Sequence, residues 1–226
     1  MKPSIVIMLT HNDKTVKNSM EIFESCKDLP VENWGFKDVG IPKEEMIRLN
    51  KAMKDAGKTT FLEVVTYTEE ECLAGAQLAL DCGFDYLTGT IFFPSIVEKL
   101  KGTGMKYYPF AGEVGGSPVM LQGTIEDVVE DSKRLMASGA DGVDLTAYRF
   151  ANGDGTELAT AVGDAIGREN LMIAGSIGNT ERMDLMKELA PYGYTMGSAL
   201  FDAKFVPNGS FRENLEFVLD YMKRGE

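Results

Sequence analysis

The chain of 226 residues has one histidine, His11, and three cysteines, Cys26, Cys72 and Cys82. The cysteines lack CxxC spacing, which argues against a disulfide framework or a zinc knuckle, and they read as reduced packing residues. Basic residues are also short: the formal net charge is −12, with no basic cluster to offset it. A nucleic-acid partner, which needs a cationic face to release phosphate counterions, is therefore not expected. Long apolar runs are missing. The opening MKPSIVIMLTHND is too short for a signal peptide or a membrane span, so the expectation is a cytoplasmic protein without membrane contact. No Pro/Ser-rich linker or low-complexity break divides the chain, and residues 1–226 are expected to form one domain.

Present instead is a repeating beat. With 44% hydrophobic and 26% charged residues the chain can bury a sizeable core. Short β-rich runs at 4–10, 35–39, 60–66, 86–90, 106–111, 142–146, 171–175 and 194–197 alternate with amphipathic helical stretches. Pro42 reads as a first-turn proline and Gly57 as a helix stop. Thr68 with Glu71, and Thr124 with Asp127, have capping-box spacing. Glycines at 83, 139 and 193 stand in turns that lead from a helix into the next strand. Strict alternation implies parallel strands joined by right-handed crossovers, and eight units fit a closed α/β barrel of the (β/α)8 type. A doubly wound open sheet is the rival, but no GxGxxG follows the first strand.

The working face of such a barrel is the carboxyl end of its strands, so the residues just after each strand carry the functional expectation. At the seventh, an apolar run enters Gly175-Ser176-Ile177-Gly178-Asn179 and then a helix. At the eighth, Tyr194-Thr195-Met196 enters Gly197-Ser198-Ala199. Glycines let backbone N–H groups approach a ligand, and a helix N-terminus carries unsatisfied N–H groups and partial positive charge. In succession, Gly175, Ser176, Gly178, Gly197 and Ser198 point to a phosphate site at strands 7 and 8.

The run GADGVDLTAYRF from Gly139, and IAGSIGNTERMDLMKELAPYGYTMGSAL from Ile173, resemble the closing half of the ribulose-phosphate-binding barrels. That superfamily includes N-acetylmannosamine-6-phosphate epimerases, 2-keto-3-deoxy-6-phosphogluconate aldolases and the orotidine-phosphate decarboxylase group. Phe36-Lys37-Asp38-Val39-Gly40 and Thr60-Phe61-Leu62-Glu63-Val64 resemble the second and third strands of the decarboxylases. The resemblance spans most of the barrel, with no one family matched throughout. It implies a TIM barrel, a small phosphorylated metabolite as partner, and pairing into a homodimer as one option. It also exposes departures. Asp144 stands where the aldolases carry their Schiff-base lysine, Gly175-Ser176 where the epimerases carry a glutamate, and Glu63-Val64-Val65-Thr66-Tyr67-Thr68 where the decarboxylases carry Asp-x-Lys-x-x-Asp. Pentulose-phosphate epimerases use several histidines around a metal, and this chain has only His11.

Candidate chemistry rests on ionisable groups in or just after apolar strands, where charge is costly unless paired or used. Lys37 is expected either to pair structurally with Glu63 or to polarise a carbonyl, and a lowered pKa would also permit an imine. Glu63 or Asp144 is the candidate general base. His11 is a proton shuttle or an exposed helix cap. Glu113, in the flexible loop 111–118, belongs to a lid or to a merely mobile segment. Arg149 clamps an anionic group or is a surface cation. Glu63 and Asp144 lack a spacing that recommends Mg²⁺, and no metal or other cofactor is assigned. The leading expectation is an enzyme that abstracts a proton next to a carbonyl of a phosphorylated sugar or keto acid, as an isomerase, epimerase or carbon–carbon lyase. The alternatives are a non-catalytic barrel that senses a phosphometabolite, and a phosphoribosyl-handling biosynthetic enzyme.

Overall fold

The structure, a computed structural model, describes residues 2–224; Met1, Gly225 and Glu226, the outermost positions of the expected 1–226 unit, lie outside the described residues. Eight short strands alternate with helices. They are β1 (Ser4–Met8), β2 (Asn33–Lys37), β3 (Thr59–Glu63), β4 (Tyr86–Thr88), β5 (Lys106–Tyr108), β6 (Val143–Leu145), β7 (Leu171–Ile173) and β8 (Gly193–Met196). They form one parallel sheet in the order β6-β7-β8-β1-β2-β3-β4-β5. A bridge between Phe110 and Asp144 brings the two ends together into a nearly closed barrel. Pro109 has no N–H to give to the ladder there, but its carbonyl accepts from the Asp144 amide at 2.8 Å.

The helices are α1 (Ser19–Cys26), α2 (Lys43–Asp55), α3 (Glu69–Cys82), α4 (Pro94–Leu100), α5 (Ile125–Ala137), α6 (Gly155–Ile166), α7 (Thr180–Leu189), α8 (Ser198–Phe201) and α9 (Phe211–Lys223). Both capping boxes form, at Thr68–Glu71 before α3 and at Thr124–Asp127 before α5. Pro42 caps α2 rather than lying in its first turn. Gly83 and Gly139 take positive φ in the turns after α3 and α5, but after α7 it is Ala190 that does so, at φ 48°. Gly193 lies inside β8, where a Cβ would come within 2.8 Å of the Ser4 carbonyl on β1. Among the described residues no helix is long and apolar enough to cross a membrane.

Two apolar layers result. The larger lies between sheet and helices and includes Leu9, Trp34, Leu62, Leu87, Leu145 and Val162. The smaller fills the barrel itself with Val6, Met8, Phe61, Tyr108 and Met172, against which Tyr86 and Tyr192 pack. Tyr86 stacks on Phe61 at 4.2 Å between centroids and shares a 2.6 Å hydrogen bond with the Tyr192 hydroxyl. These rings plug the interior, and polar groups appear beyond them toward the carboxyl ends of the strands.

Several strands end earlier than their apolar runs. The expected 4–10 strand stops at Met8, and Thr10–His11 instead pairs antiparallel with Lys14–Thr15 as a small ribbon over the barrel mouth. The expected 60–66 strand stops at Glu63. The segment expected as a flexible loop at 111–118 contributes to a second ribbon, in which Glu113–Gly115 pairs with Met120–Gln122. The Tyr67 hydroxyl donates to the Gly116 carbonyl at 3.0 Å and ties down that ribbon's tip.

Candidate functional site

A cavity of about 340 Å³ opens at the carboxyl ends of the strands. That is near the lower end of the usual range for small-ligand sites, roughly 300 to 1,000 Å³, and suits a compact metabolite. Two turns form one wall. Gly175 and Ser176 both adopt positive φ, 72° and 62°, and residues 174–178 line the cavity. The Gly175 amide donates to Thr195 Oγ1 at 3.0 Å, fixing the turn after β7 to β8. Ser176 holds a conformation that a non-glycine residue adopts only when its surroundings impose it. Arg182 imposes it, donating to the Ser176 carbonyl while its guanidinium stacks on Tyr148 at 4.3 Å.

The second turn passes through Gly197, where a Cβ would meet the Thr10 carbonyl at 2.7 Å and the Met8 carbonyl at 2.9 Å. Its glycine is thus required by close packing against β1, and the packing delivers Ser198 and Ala199 to the cavity. Gly178 differs. An added Cβ would meet nothing nearer than the Ala199 Cβ at 3.6 Å, so the fold does not demand glycine there and the open space faces the cavity.

The opposite wall comes from β2 and β3. Lys37 and Glu63 are partners in the parallel register, and Lys37 Nζ lies 3.5 Å from Glu63 Oε1. Sequence reasoning missed the third member, Asp13, whose Oδ1 is 3.0 Å from the same ammonium. It stands at the tip of the first ribbon, where Asn12 and Asp13 have φ 50° and 59°. The signal was the Asn-Asp pair between Thr10-His11 and Lys14-Thr15, a two-residue hairpin pattern. Burial pulls the Lys37 pKa down, but Glu63 and Asp13 push harder and hold it above the ordinary lysine value. Lys37 is therefore an ammonium at neutral pH, which argues against the imine chemistry that a lowered pKa would have allowed.

Asp144 faces the same centre from β6 but does not line the cavity. It is buried to 1% exposure and its Oδ1 has no hydrogen-bond partner. Burial, then the charge of Glu63, raise its pKa well above the usual carboxylate range, against the opposing pull of Lys37 and Arg149. Burial thus favours the protonated form of Asp144 beneath the site, which argues against it as a ground-state base. Glu63 keeps that candidacy.

Arg149 lines the cavity beside the first turn, with its guanidinium 3.3 Å from where a Gly175 Cβ would stand. Its amide donates to the Thr146 carbonyl at 2.9 Å, but among the described residues its guanidinium makes no hydrogen bond or ion pair, so the side-chain donors are open to a ligand. Arg182, Lys204 and Asp202 line the cavity too and were not foreseen. The lining then holds four cations (Lys37, Arg149, Arg182, Lys204) against three acids (Asp13, Glu63, Asp202). A local positive excess in a chain of net charge −12 favours an anionic ligand at this place.

Besides Asp144, two further candidates fall outside the cavity lining. His11 does not line the cavity; its Nε2 lies 2.9 Å from Asp202 Oδ1 and its ring stacks on Phe201, so it ties the ribbon to α8. Glu113 is exposed on the second ribbon, and the residue of that ribbon reaching the cavity is Val119. Among the described residues no three His, Cys, Asp or Glu side chains converge as metal ligands.

No family model and no curated protein matches the sequence. Solved structures do resemble the fold. Orotidine 5'-phosphate decarboxylase from Pyrococcus horikoshii OT3 aligns over 97% of this chain and 99% of its own, with TM-score 0.68 and 12% identity. Phosphoribosylanthranilate isomerase from Thermotoga maritima aligns over 98% of each chain, with TM-score 0.61 and 12% identity. The tryptophan synthase A-subunit from Pyrococcus furiosus aligns over 98% of this chain and 96% of its own, with TM-score 0.64 and 14% identity. The chain therefore shares the (β/α)8 barrel fold of these structures.

Proposed function

We propose that the protein is an enzyme that binds a small phosphorylated sugar or keto acid and abstracts a proton next to its carbonyl. One observation supports the reading: a single cavity is lined on one wall by the turns after β7 and β8 with Arg149 and Lys204, and on the other, across β1, by a lysine flanked by carboxylates. The phosphate sits against Ser176–Gly178 and Ser198, with Arg149 as its side-chain donor. The rest of the ligand then reaches Lys37, whose ammonium stabilises the oxygen charge that develops when Glu63 removes the neighbouring proton. That the neighbours named above include a decarboxylase, an isomerase and a synthase is consistent with a barrel whose loops choose the chemistry.

Two measurements test this. In a turnover screen against sugar and keto-acid phosphates, alanine at Lys37 or Glu63 is expected to cut conversion of an accepted substrate at least ~100-fold. Binding without turnover in the native protein would instead mark a metabolite-sensing barrel. Separately, Gly178→Val fills the open space between the two turns. It is expected to change stability by no more than about 0.5 kcal/mol while abolishing the rise in melting temperature that inorganic phosphate gives the native protein. An unchanged phosphate response would remove the cradle from the account.

A further inference from the structure

The Asp13–Lys37–Glu63 cluster holds one more acid than an ion pair needs. Lys37 is 8% exposed at its side chain, and one carboxylate would neutralise it; Glu63, its register partner, is already there. Asp13 adds a second at the shorter distance, 3.0 Å, and is 40% exposed at the cavity, against 17% for Glu63. Its placement is held tightly. At the base of its ribbon, Thr15 Oγ1 donates to the Lys37 carbonyl at 2.7 Å and accepts from the Lys37 amide at 3.0 Å, and the Thr15 amide donates to the Val39 carbonyl at 2.9 Å. The other arm is tied to α8 by His11 and Asp202. A ribbon that only covered the barrel mouth would need neither a carboxylate on the lysine nor this register.

We propose that Asp13 is a second catalytic residue, moving a proton between two neighbouring oxygens of the substrate while Glu63 moves the carbon-bound proton. The inference rests on the proton-abstraction reading above and narrows it to isomerisation. Glu63 takes the proton from the carbon beside the carbonyl; the C–H electron pair becomes a C=C bond, and the carbonyl π pair moves onto oxygen, where Lys37 holds the charge. Asp13 takes the proton of the adjacent hydroxyl and gives it to that oxygen. The remaining oxyanion re-forms a carbonyl one carbon along, the C=C pair takes the proton back from Glu63, and both carboxylates finish as they began. No further reactant is consumed.

Asp13→Asn and Glu63→Gln each keep an oxygen acceptor for Lys37 but cannot carry a proton. Each is incubated in D₂O with pentose and hexose monophosphates, and C–H exchange and isomer conversion are read by proton NMR. Glu63→Gln is expected to lose both by at least ~100-fold, whereas Asp13→Asn keeps exchange within about tenfold of native and loses conversion by at least ~100-fold. Asp13→Ser, which also suits a turn, gives the same split should the asparagine variant fold poorly. Native conversion in Asp13→Asn would overturn the inference. So would equal loss of exchange and conversion, which would make Asp13 only a support for Lys37. If the native protein exchanges none of the panel, the proton-abstraction reading fails and the inference fails with it.

Discussion

Lys37→Met is expected to cut turnover of an accepted substrate at least ~100-fold and to lower stability by about 3 kcal/mol. The two effects have one origin. Lys37 is buried and holds two carboxylates, at 3.0 and 3.5 Å, that converge on it from different elements. Removing the ammonium leaves Asp13 and the largely buried Glu63 facing each other without a counter-charge. Breaking a buried pair from one side costs more than deleting both partners, so Lys37→Met combined with Glu63→Gln is expected to recover most of the lost stability and none of the activity. Because the folded-state pKa of Lys37 is raised, its stabilising contribution is fully present at neutral pH and is lost only as pH climbs through that raised value. Urea unfolding of the two variants at neutral pH checks the stability half; equal midpoints for both would contradict it.

Asp144→Asn is expected to act in the opposite direction, stabilising the protein at neutral pH by on the order of 2 kcal/mol. Burial inside the barrel favours the neutral form of the native side chain, which ionises freely once unfolded. Its folded pKa stands well above the ordinary carboxylate value, so the folded state binds the extra proton. Stability from this group is complete below the unfolded pKa and declines as pH rises through the folded one, by up to about 1.4 kcal/mol per pH unit. Asp38 adds a second contribution of the same sign: burial first, and Glu63 next among the raising influences, bring its pKa to about 6. The native protein should therefore lose stability between acidic and neutral pH, and Asp144→Asn should flatten only its own share of that slope. A variant that is less stable than native at neutral pH would show that Asp144 is ionised and paired there, and would return it to the candidate bases.

The barrel was legible in the sequence because eight apolar runs and their helix caps each obey a local rule. Thr68–Glu71, Thr124–Asp127 and Gly83 are signals read within a few residues, and all three took the expected form. The Lys37–Glu63 pair was legible for a similar reason, since adjacent parallel strands put equivalent positions side by side. What the pattern could not convey was where each strand stops and what the loops then do. Thr10 is apolar enough in context to extend β1, yet it leaves to form the ribbon that brings Asp13 to Lys37. His11 was the natural proton shuttle by residue type, but the same ribbon pairs it with Asp202 and leaves it out of the cavity lining. Asp144 sits in a buried strand like a catalytic acid, and only the packed interior shows that it lies beneath the cavity rather than in it. Arg182 reaches the site from the first turn of α7, a position whose direction depends on the left-handed Gly175-Ser176 turn before it.

The central claim is that one cavity holds phosphate on the β7–β8 side and the reacting carbonyl on the β2–β3 side. A crystal structure with a turned-over sugar phosphate, trapped in the Glu63→Gln variant, tests it most directly. The account predicts the phosphate against the amides of Ser176–Gly178 and Ser198 with Arg149 beside it, and the carbonyl oxygen within hydrogen-bond reach of Lys37 Nζ. A phosphate bound elsewhere, or a carbonyl facing away from Lys37, would contradict it.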